Sequence, residues 1–284
     1  MRTLAGGAIA AVITLSAANA QTQLVSEDIM VKSPDAGIEI FVRNKRPANM
    51  TAFRPERTLV YVHGATYPAS TAFDLKLGGL SWMEYIAARG YDVYLLDLRG
   101  YGKSTRPREM SEDAAKNPPL VRGDTAVKDI GTVVDFVLAR RNIPRVNLLG
   151  WSWGTTLMAT YASQNNAKVE RLALYAPVWI RQTASLVQTG AGPLGAYRTV
   201  KREQALGRWM TGAPEDRRRR SFPPAGSTSG RRNLRQRPRR LQDEPAGAAC
   251  AERRHAGRQR ILRRRQPYYD PAKITVPTLL VVAE

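Results

Sequence analysis

One serine in this sequence has the neighbours that a nucleophile needs. Residues 150–154 read GWSWG, with Ser152 at the centre and a glycine two positions away on each side. A serine that turns sharply between a strand and a helix needs small flanking residues, because the strand and the helix approach closely there. Gly150 and Gly154 meet that need. Such a turn lifts the Ser152 hydroxyl above the edge of a sheet and points the N–H of Trp153 at a developing oxyanion.

The elements around Ser152 fit that geometry. Residues 145–149 are predicted to form a strand and residues 155–163 a helix. Further strands are predicted at residues 57–63, 91–97, 169–176 and 274–283, where largely apolar runs are typical of buried strands. Strand and helix alternate along the chain, which predicts an α/β fold with a doubly wound, mostly parallel sheet and helices on both of its faces.

Further elements complete this prediction. Two short strand-like pieces, at residues 29–32 and 37–42, precede the parallel strands. Residues 73–89 have helical spacing and stop at Gly90, which is a good helix terminator. Asp124 is a candidate cap for a helix that runs to about Arg141.

Two more motifs accompany the GWSWG turn. His63-Gly64 ends an apolar run, and residues 97–104 read DLRGYGKS. Together the three motifs resemble the α/β-hydrolase superfamily over about residues 51–177 and the last seventeen residues. They are specific for the superfamily and unspecific for the substrate.

The resemblance implies a reaction and an oxyanion site. Members of this superfamily hydrolyse an ester, amide or related acyl bond, and here the acyl-enzyme would form on Ser152. The N–H of Ala65, just after the His-Gly pair, and the N–H of Trp153 would form the oxyanion hole. The implied substrate is therefore a small acyl compound, with esterase, lipase, aminopeptidase and lactonase activities all open.

The roles of His63 and Asp97 follow from the same resemblance. A histidine at the end of this strand orients the loop in the superfamily, so we assign His63, Gly64 and Asp97 to the structural motif together with Gly150 and Gly154. Two alternatives stay open at this point. His63 would then be the general base, or Asp97 the acid of a catalytic triad.

A catalytic acid and base are harder to place. The superfamily order is serine, acid, histidine, with the acid after a strand that resembles residues 274–283 and the histidine after the next strand. The sequence stops at Glu284, and His255 precedes that strand. We therefore expect a truncated chain that is nearly inactive, because loss of a triad member costs about 10⁴ to 10⁶ in turnover.

The first twenty residues are typical of an export signal. Arg2 supplies a positive start, residues 4–17 are apolar, and residues 18–20 read ANA, an A-x-A cleavage site. The apolar run is shorter than the roughly 20 residues of a membrane-spanning helix, although a membrane anchor is the alternative. The sequence thus predicts cleavage after Ala20 and a periplasmic or secreted protein without a transmembrane segment.

Residues 217–265 differ from the rest of the chain. They contain 17 arginines, no lysine and three acidic residues, a net +14 of the formal charge of +20. Three interpretations remain open: a shifted reading frame, a disordered insert, and a segment that binds polyanions. The first is favoured because arginine, proline, alanine and glycine dominate without hydrophobic periodicity. The competing class for the whole chain is a non-catalytic remnant or a polyanion-binding protein.

The cysteine and histidine counts limit the kinds of metal or disulfide site that this chain can form. One cysteine, Cys250, excludes an intrachain disulfide, and two histidines do not make a typical zinc site. We expect no metal, no organic cofactor and no specific nucleic acid, and the oligomeric state is left open. The predicted division is a signal at 1–20, the first part of the hydrolase domain at 21–180, a disrupted cap at 181–267, and a returning core strand at 268–284.

Overall fold

The computed structural model of this chain describes residues 22–179, 194–215, 217–218 and 268–282. The predicted export signal at residues 1–20 lies outside the described residues. Most of the predicted cap and nearly all of the arginine-rich residues 217–265 also lie outside them. The predictions made for those segments therefore stay predictions.

A seven-stranded sheet organises the described residues, in the order β1-β2-β4-β3-β5-β6-β7. The two antiparallel pairs join β1 to β2 and β2 to β4, and the remaining pairs are parallel. The strands are β1 Leu24–Lys32, β2 Glu39–Pro47, β3 Thr58–Val62, β4 Asp92–Leu96, β5 Val146–Trp151, β6 Val169–Tyr175 and β7 Thr278–Val281. This topology confirms the predicted mostly parallel α/β sheet.

Helices cover both faces of the sheet. They are α1 Ala69–Ala72, α2 Trp82–Ala87, α3 Gly123–Arg141, α4 Trp153–Gln164 and α5 Arg202–Trp209. Helices α3 and α4 contribute to one hydrophobic cluster, while α1 and α2 contribute to the other. The two-sided burial of β3 explains why apolar and polar residues do not alternate in its sequence. Val60 and Val62 face the first cluster and Leu59 and Tyr61 face the second, so every position is buried.

The single helix expected over residues 73–89 is wrong. The chain forms the short helix α1, a loop, and then α2. Gly78 and Gly79 both adopt positive φ, at 66° and 93°, which breaks a right-handed helix. Helix α2 then starts afresh at a capping box, in which the Ser81 side chain accepts from the Glu84 amide and the Glu84 side chain accepts from the Ser81 amide.

Two other boundaries differ from the prediction. Helix α3 begins at Gly123 with Arg122 at the N-cap, so Asp124 lies inside the first turn and does not cap the helix. Strand β7 begins at Thr278, later than the predicted residue 274, because Pro277 has no N–H to give to a ladder. At the edge of the described sheet, Leu279 and Leu280 of β7 are about 60% exposed.

No helix among the described residues is long and apolar enough to cross a membrane.

Candidate active site

Ser152 occupies a strained turn between β5 and α4. Its φ is 54° and its ψ is −119°, a conformation that costs a residue with a side chain about 1–3 kcal/mol. Hydrogen bonds on both sides hold it there. The Ser152 N–H donates to the carbonyl of Tyr175 at 3.0 Å, and the Ser152 carbonyl accepts from the Thr155 N–H at 2.9 Å. The strain is therefore imposed by the strand and helix that meet at this residue.

The flanking glycines are required by packing. A Cβ on Gly150 would lie 2.4 Å from the carbonyl oxygen of Gly154, and a Cβ on Gly154 would lie 2.7 Å from the carbonyl oxygens of Val62 and His63. These neighbours are main-chain atoms that no rotamer change can move. The two glycines thus let β5, α4 and the end of β3 come together around Ser152.

Gly64 brings a second loop to the serine. A Cβ at Gly64 would lie 3.1 Å from Ser152 Cβ and 3.5 Å from its Oγ. The main chain after β3 therefore passes directly beside the hydroxyl. Ala65 and Trp153, the residues that follow Gly64 and Ser152, are both buried, with 8% and 5% exposure.

Two backbone amides are available beside this hydroxyl. Within the described ranges, the N–H groups of Ala65 and Trp153 donate no hydrogen bond. Trp153 is the first residue of α4, so its N–H has no acceptor in its own helix and lies at the positive end of the helix dipole. Amides without an acceptor, beside a serine hydroxyl, are suited to bind the oxyanion that forms on a carbonyl oxygen when such a hydroxyl attacks it.

Both ring nitrogens of His63 form hydrogen bonds with main-chain groups. Its Nε2 accepts from the Leu98 N–H at 3.1 Å, so that nitrogen carries no proton, and Nδ1–H donates to the Gly64 carbonyl at 2.7 Å. The ring is fully buried. Burial lowers the pKa of His63, and the charge of Asp97 offsets this effect only in part. Its geometry suits a residue that holds the loop, and neither nitrogen is free to take a proton from Ser152.

Asp97 is likewise engaged within its loop. One carboxylate oxygen accepts from the Ser70 N–H at 3.0 Å, and the other accepts from the Ser70 hydroxyl at 2.7 Å and the Lys103 N–H at 3.2 Å. Gly102 lies so close that an added Cβ would overlap the same carboxylate. Asp97 therefore contacts groups that shape the 97–104 loop and makes no contact with the His63 ring nitrogens.

A comparison with known proteins places this chain in a family. A family model described as "alpha/beta hydrolase fold" matches residues 57–207, just over half of the chain. The chain belongs to the α/β-hydrolase family.

Individual relatives match this α/β-hydrolase over part of their length. A proline iminopeptidase from Heyndrickxia coagulans is 29% identical over 150 residues, covering 51% of this chain and 44% of that enzyme. A mutant of Vigna radiata epoxide hydrolase has a TM-score of 0.39 and 18% identity, over 53% of this chain and 38% of that one. A mutant of potato epoxide hydrolase has a TM-score of 0.40 and 21% identity, over 54% and 40% of the two chains. The chain spans less than half the length of the curated relative.

Two side chains beside the site of this α/β-hydrolase were missed by the sequence prediction. Tyr101 donates its hydroxyl to the Ala65 carbonyl at 3.2 Å, and Arg198 Nη2 donates to the same oxygen at 2.8 Å. Tyr101 lies within the DLRGYGKS motif, but the motif does not show that its hydroxyl reaches the Ala65 carbonyl. Arg198 is 133 positions from Ala65, and no local pattern marks it.

The acid and base of this α/β-hydrolase are not found beside Ser152 among the described residues. His255 and Glu284 lie outside them. The described residues also contain no group of three His, Cys, Asp or Glu side chains that could hold a metal ion.

Proposed function

We propose that this protein is a serine hydrolase that cleaves an ester, amide or related acyl bond through an acyl-enzyme on Ser152. The observation that supports the proposal is the position of Ser152. It lies in a strained turn, with the Ala65 and Trp153 amides next to it and without acceptors in the described structure. Such a turn costs free energy, and strained residues of this kind cluster at functional sites.

The reaction follows from that arrangement. The Ser152 hydroxyl oxygen attacks the carbonyl carbon of the substrate, and its proton passes to a base. The negative charge that forms on the carbonyl oxygen is stabilised by the N–H groups of Ala65 and Trp153. Collapse of this intermediate breaks the bond to the alcohol or amine, which leaves with the proton that the base holds. Water then attacks the acyl carbon, the acid is released, and a proton of that water restores the Ser152 hydroxyl.

The described residues offer Ser152 no general base. His63 is the only histidine among the described residues, and both of its ring nitrogens are bonded to main-chain groups. A serine hydroxyl without a base is a poor nucleophile at neutral pH. We therefore propose that the chain reacts slowly, with the oxyanion hole and binding supplying about 10³-fold acceleration over water.

The test is labelling by a fluorophosphonate probe, followed by mass spectrometry of the labelled peptide. We expect slow labelling at Ser152 and none in Ser152→Ala. Ser26→Ala is the matched control, because Ser26 is an exposed serine in the edge strand β1, which three strands separate from β5, and it should label like the wild type. Labelling at another serine, or equal labelling of Ser152→Ala, would refute the proposed nucleophile.

A substrate panel tests the acyl group. The name of the curated relative, proline iminopeptidase, makes a proline amide the first amide to include. A short-chain ester and a lactone cover the other acyl classes. Hydrolysis of any of them that disappears in Ser152→Ala supports the proposed reaction, and unchanged hydrolysis in that variant contradicts it.

We also propose that the protein is exported and cleaved after Ala20. The support is the charged start, the apolar run and the ANA site at residues 18–20. N-terminal sequencing of the exported protein should give a chain that begins at Gln21. A chain that keeps Met1 and stays in the membrane fraction would contradict cleavage.

A further inference from the structure

The carbonyl oxygen of Ala65 accepts two side-chain hydrogen bonds. Tyr101 Oη donates from 3.2 Å, and Arg198 Nη2 donates from 2.8 Å. The same Arg198 nitrogen also lies 3.3 Å from the hydroxyl of Thr66. This carbonyl and the N–H assigned to the oxyanion hole belong to one residue, so the two donors hold the residue whose amide has to be aimed.

Arg198 comes from a segment that is docked onto a neighbouring loop. The Ala196 N–H donates to the Ala114 carbonyl at 2.8 Å, and the Tyr197 hydroxyl donates to the Glu112 carbonyl at 2.9 Å. A Cβ on Gly195 would lie 2.2 Å from the carbonyl oxygen of Ala114, so the two main chains are in contact. The contacts with residues 112–114 therefore fix the backbone of residues 194–200, from which the Arg198 side chain extends to the site.

Tyr101 donates to the same carbonyl from within the core. Its ring packs on His63, with centroids 4.5 Å apart, and it is fully buried. The loop after β3 is thus held by His63 at Gly64 and by Tyr101 at Ala65. Arg198 adds a permanently charged donor, and a hydrogen bond from a charged donor is about twice as strong as a neutral one.

We propose that Arg198 is a positioning residue for the oxyanion hole. Through the Ala65 carbonyl it fixes the direction of the Ala65 N–H, and Tyr101 assists it. An oxyanion donor contributes most when its direction is set before the reaction. This inference rests on the proposed function, since it assigns Arg198 to the same reaction on Ser152, and it makes the docked segment 194–200 part of the active site.

The first experiment tests the hydrogen bond from Arg198 to the Ala65 carbonyl independently of any reaction at Ser152. Ala-Thr occurs twice in the sequence, at Ala65–Thr66 and Ala159–Thr160. Carbonyl-¹³C alanine combined with ¹⁵N threonine therefore gives two amide signals in a carbonyl-filtered NMR spectrum. Thr66 reports the held peptide, and Thr160 lies in α4 and serves as the internal reference.

Arg198→Met should shift or broaden the Thr66 signal and leave the Thr160 signal unchanged. The matched control is Arg89→Met, because Arg89 also donates to a carbonyl, that of Tyr85 at 2.9 Å, but on the surface beside α2. Arg89→Met should leave both signals in place. An unchanged Thr66 signal in Arg198→Met overturns the proposal, whatever the labelling shows.

The second experiment measures the consequence for the reaction, as the rate of fluorophosphonate labelling at Ser152. In Arg198→Met the amide is misdirected and not removed, so we expect a fall of about tenfold, less than the 10² to 10³ of a deleted donor. The maximal labelling rate should fall, while the probe concentration for half-maximal rate should not change. Arg198→Lys keeps a charged donor and should recover part of the rate.

Tyr101→Phe provides a second variant of nearly the same shape. It removes only the hydroxyl, and we expect a smaller fall in the labelling rate than in Arg198→Met and a shift of the same Thr66 signal. Wild-type rates in both variants would overturn the role in the reaction. A wild-type chain that is not labelled at Ser152 would instead refute the proposed function, and the Thr66 signal would still decide whether Arg198 holds the loop.

Discussion

The sharpest prediction concerns Gly150→Ala. The added Cβ would lie 2.4 Å from the carbonyl oxygen of Gly154 and 2.8 Å from the Thr155 nitrogen. Comfortable carbon contacts begin at about 3.5 Å, so β5 and the first turn of α4 must separate by about 1 Å. Both neighbours are main-chain atoms, and the change therefore moves the Trp153 amide and the Ser152 hydroxyl together.

Two magnitudes follow from that displacement. Extra volume in a packed region costs about 1–3 kcal/mol, and we expect the upper end because no side chain can yield. A misplacement of about 1 Å at a reacting group costs about 10²-fold in rate. Gly150→Ala should therefore lower the free energy of unfolding by about 3 kcal/mol and lower the rate of Ser152 labelling by about 10².

Urea unfolding and fluorophosphonate labelling measure the two effects. Gly131→Ala is the matched control, since Gly131 lies inside α3 and its added Cβ would meet the Tyr161 ring at an ordinary 3.4 Å. That variant should gain about 0.5–1 kcal/mol from helix propensity and label normally. If Gly150→Ala unfolds and labels like the wild type, the close approach at the serine turn is not a constraint and our account of it is wrong.

Three further predictions use other parts of the structure. Ser152→Gly should abolish labelling and raise the free energy of unfolding by about 1 kcal/mol, because glycine tolerates the positive φ. Asp129→Ala should cost about 3 kcal/mol by urea unfolding, the lower end for a broken buried pair, since it leaves buried Arg99 with the partly exposed Asp35 as its remaining carboxylate partner. Asp135→Ala, on the same helix and in an exposed ion pair, should cost less than about 1 kcal/mol. Because burial lowers the pKa of His63, the unfolded chain binds a proton below pH about 6.5 that the folded chain does not. Stability should fall with falling pH there, by at most about 1.4 kcal/mol per pH unit, and His63→Asn should remove that part of the slope.

The sheet was predictable because its strands are buried on both faces. Runs such as residues 57–63 and 91–97 have four consecutive apolar or aromatic residues at their centres, and in the structure β3 and β4 have no exposed position. The strained conformation of Ser152 could also be anticipated, because the glycines at 150 and 154 are needed for steric reasons. Both predictions depend on a restriction on side-chain type. A position buried on both faces of a sheet favours apolar residues, and a position in close backbone contact requires glycine, so both restrictions are visible in the sequence.

The break between α1 and α2 was harder to predict. Residues 73–89 have helical spacing, but Ser81 and Glu84 form a capping box that starts a helix in the middle of the pattern. The side chain of Glu84 also pairs with Lys45 on β2 at 2.8 Å. A partner 39 positions away therefore helps to fix where this helix begins, and a local pattern contains no record of that partner.

The partners of the loop after β3, residues 63–66, could not be predicted for the same reason and for one more. His63 bonds to the Leu98 N–H and the Gly64 carbonyl, and Arg198 bonds to the Ala65 carbonyl. These acceptors and donors belong to the main chain, which is the same at every residue, so no pairing of side-chain types reveals them. A motif search finds the serine and its glycines because they depend on side-chain size, and it misses Arg198 because that residue acts on a carbonyl. Side chains that hold this loop are therefore found from their hydrogen bonds to its main chain and not from sequence pattern.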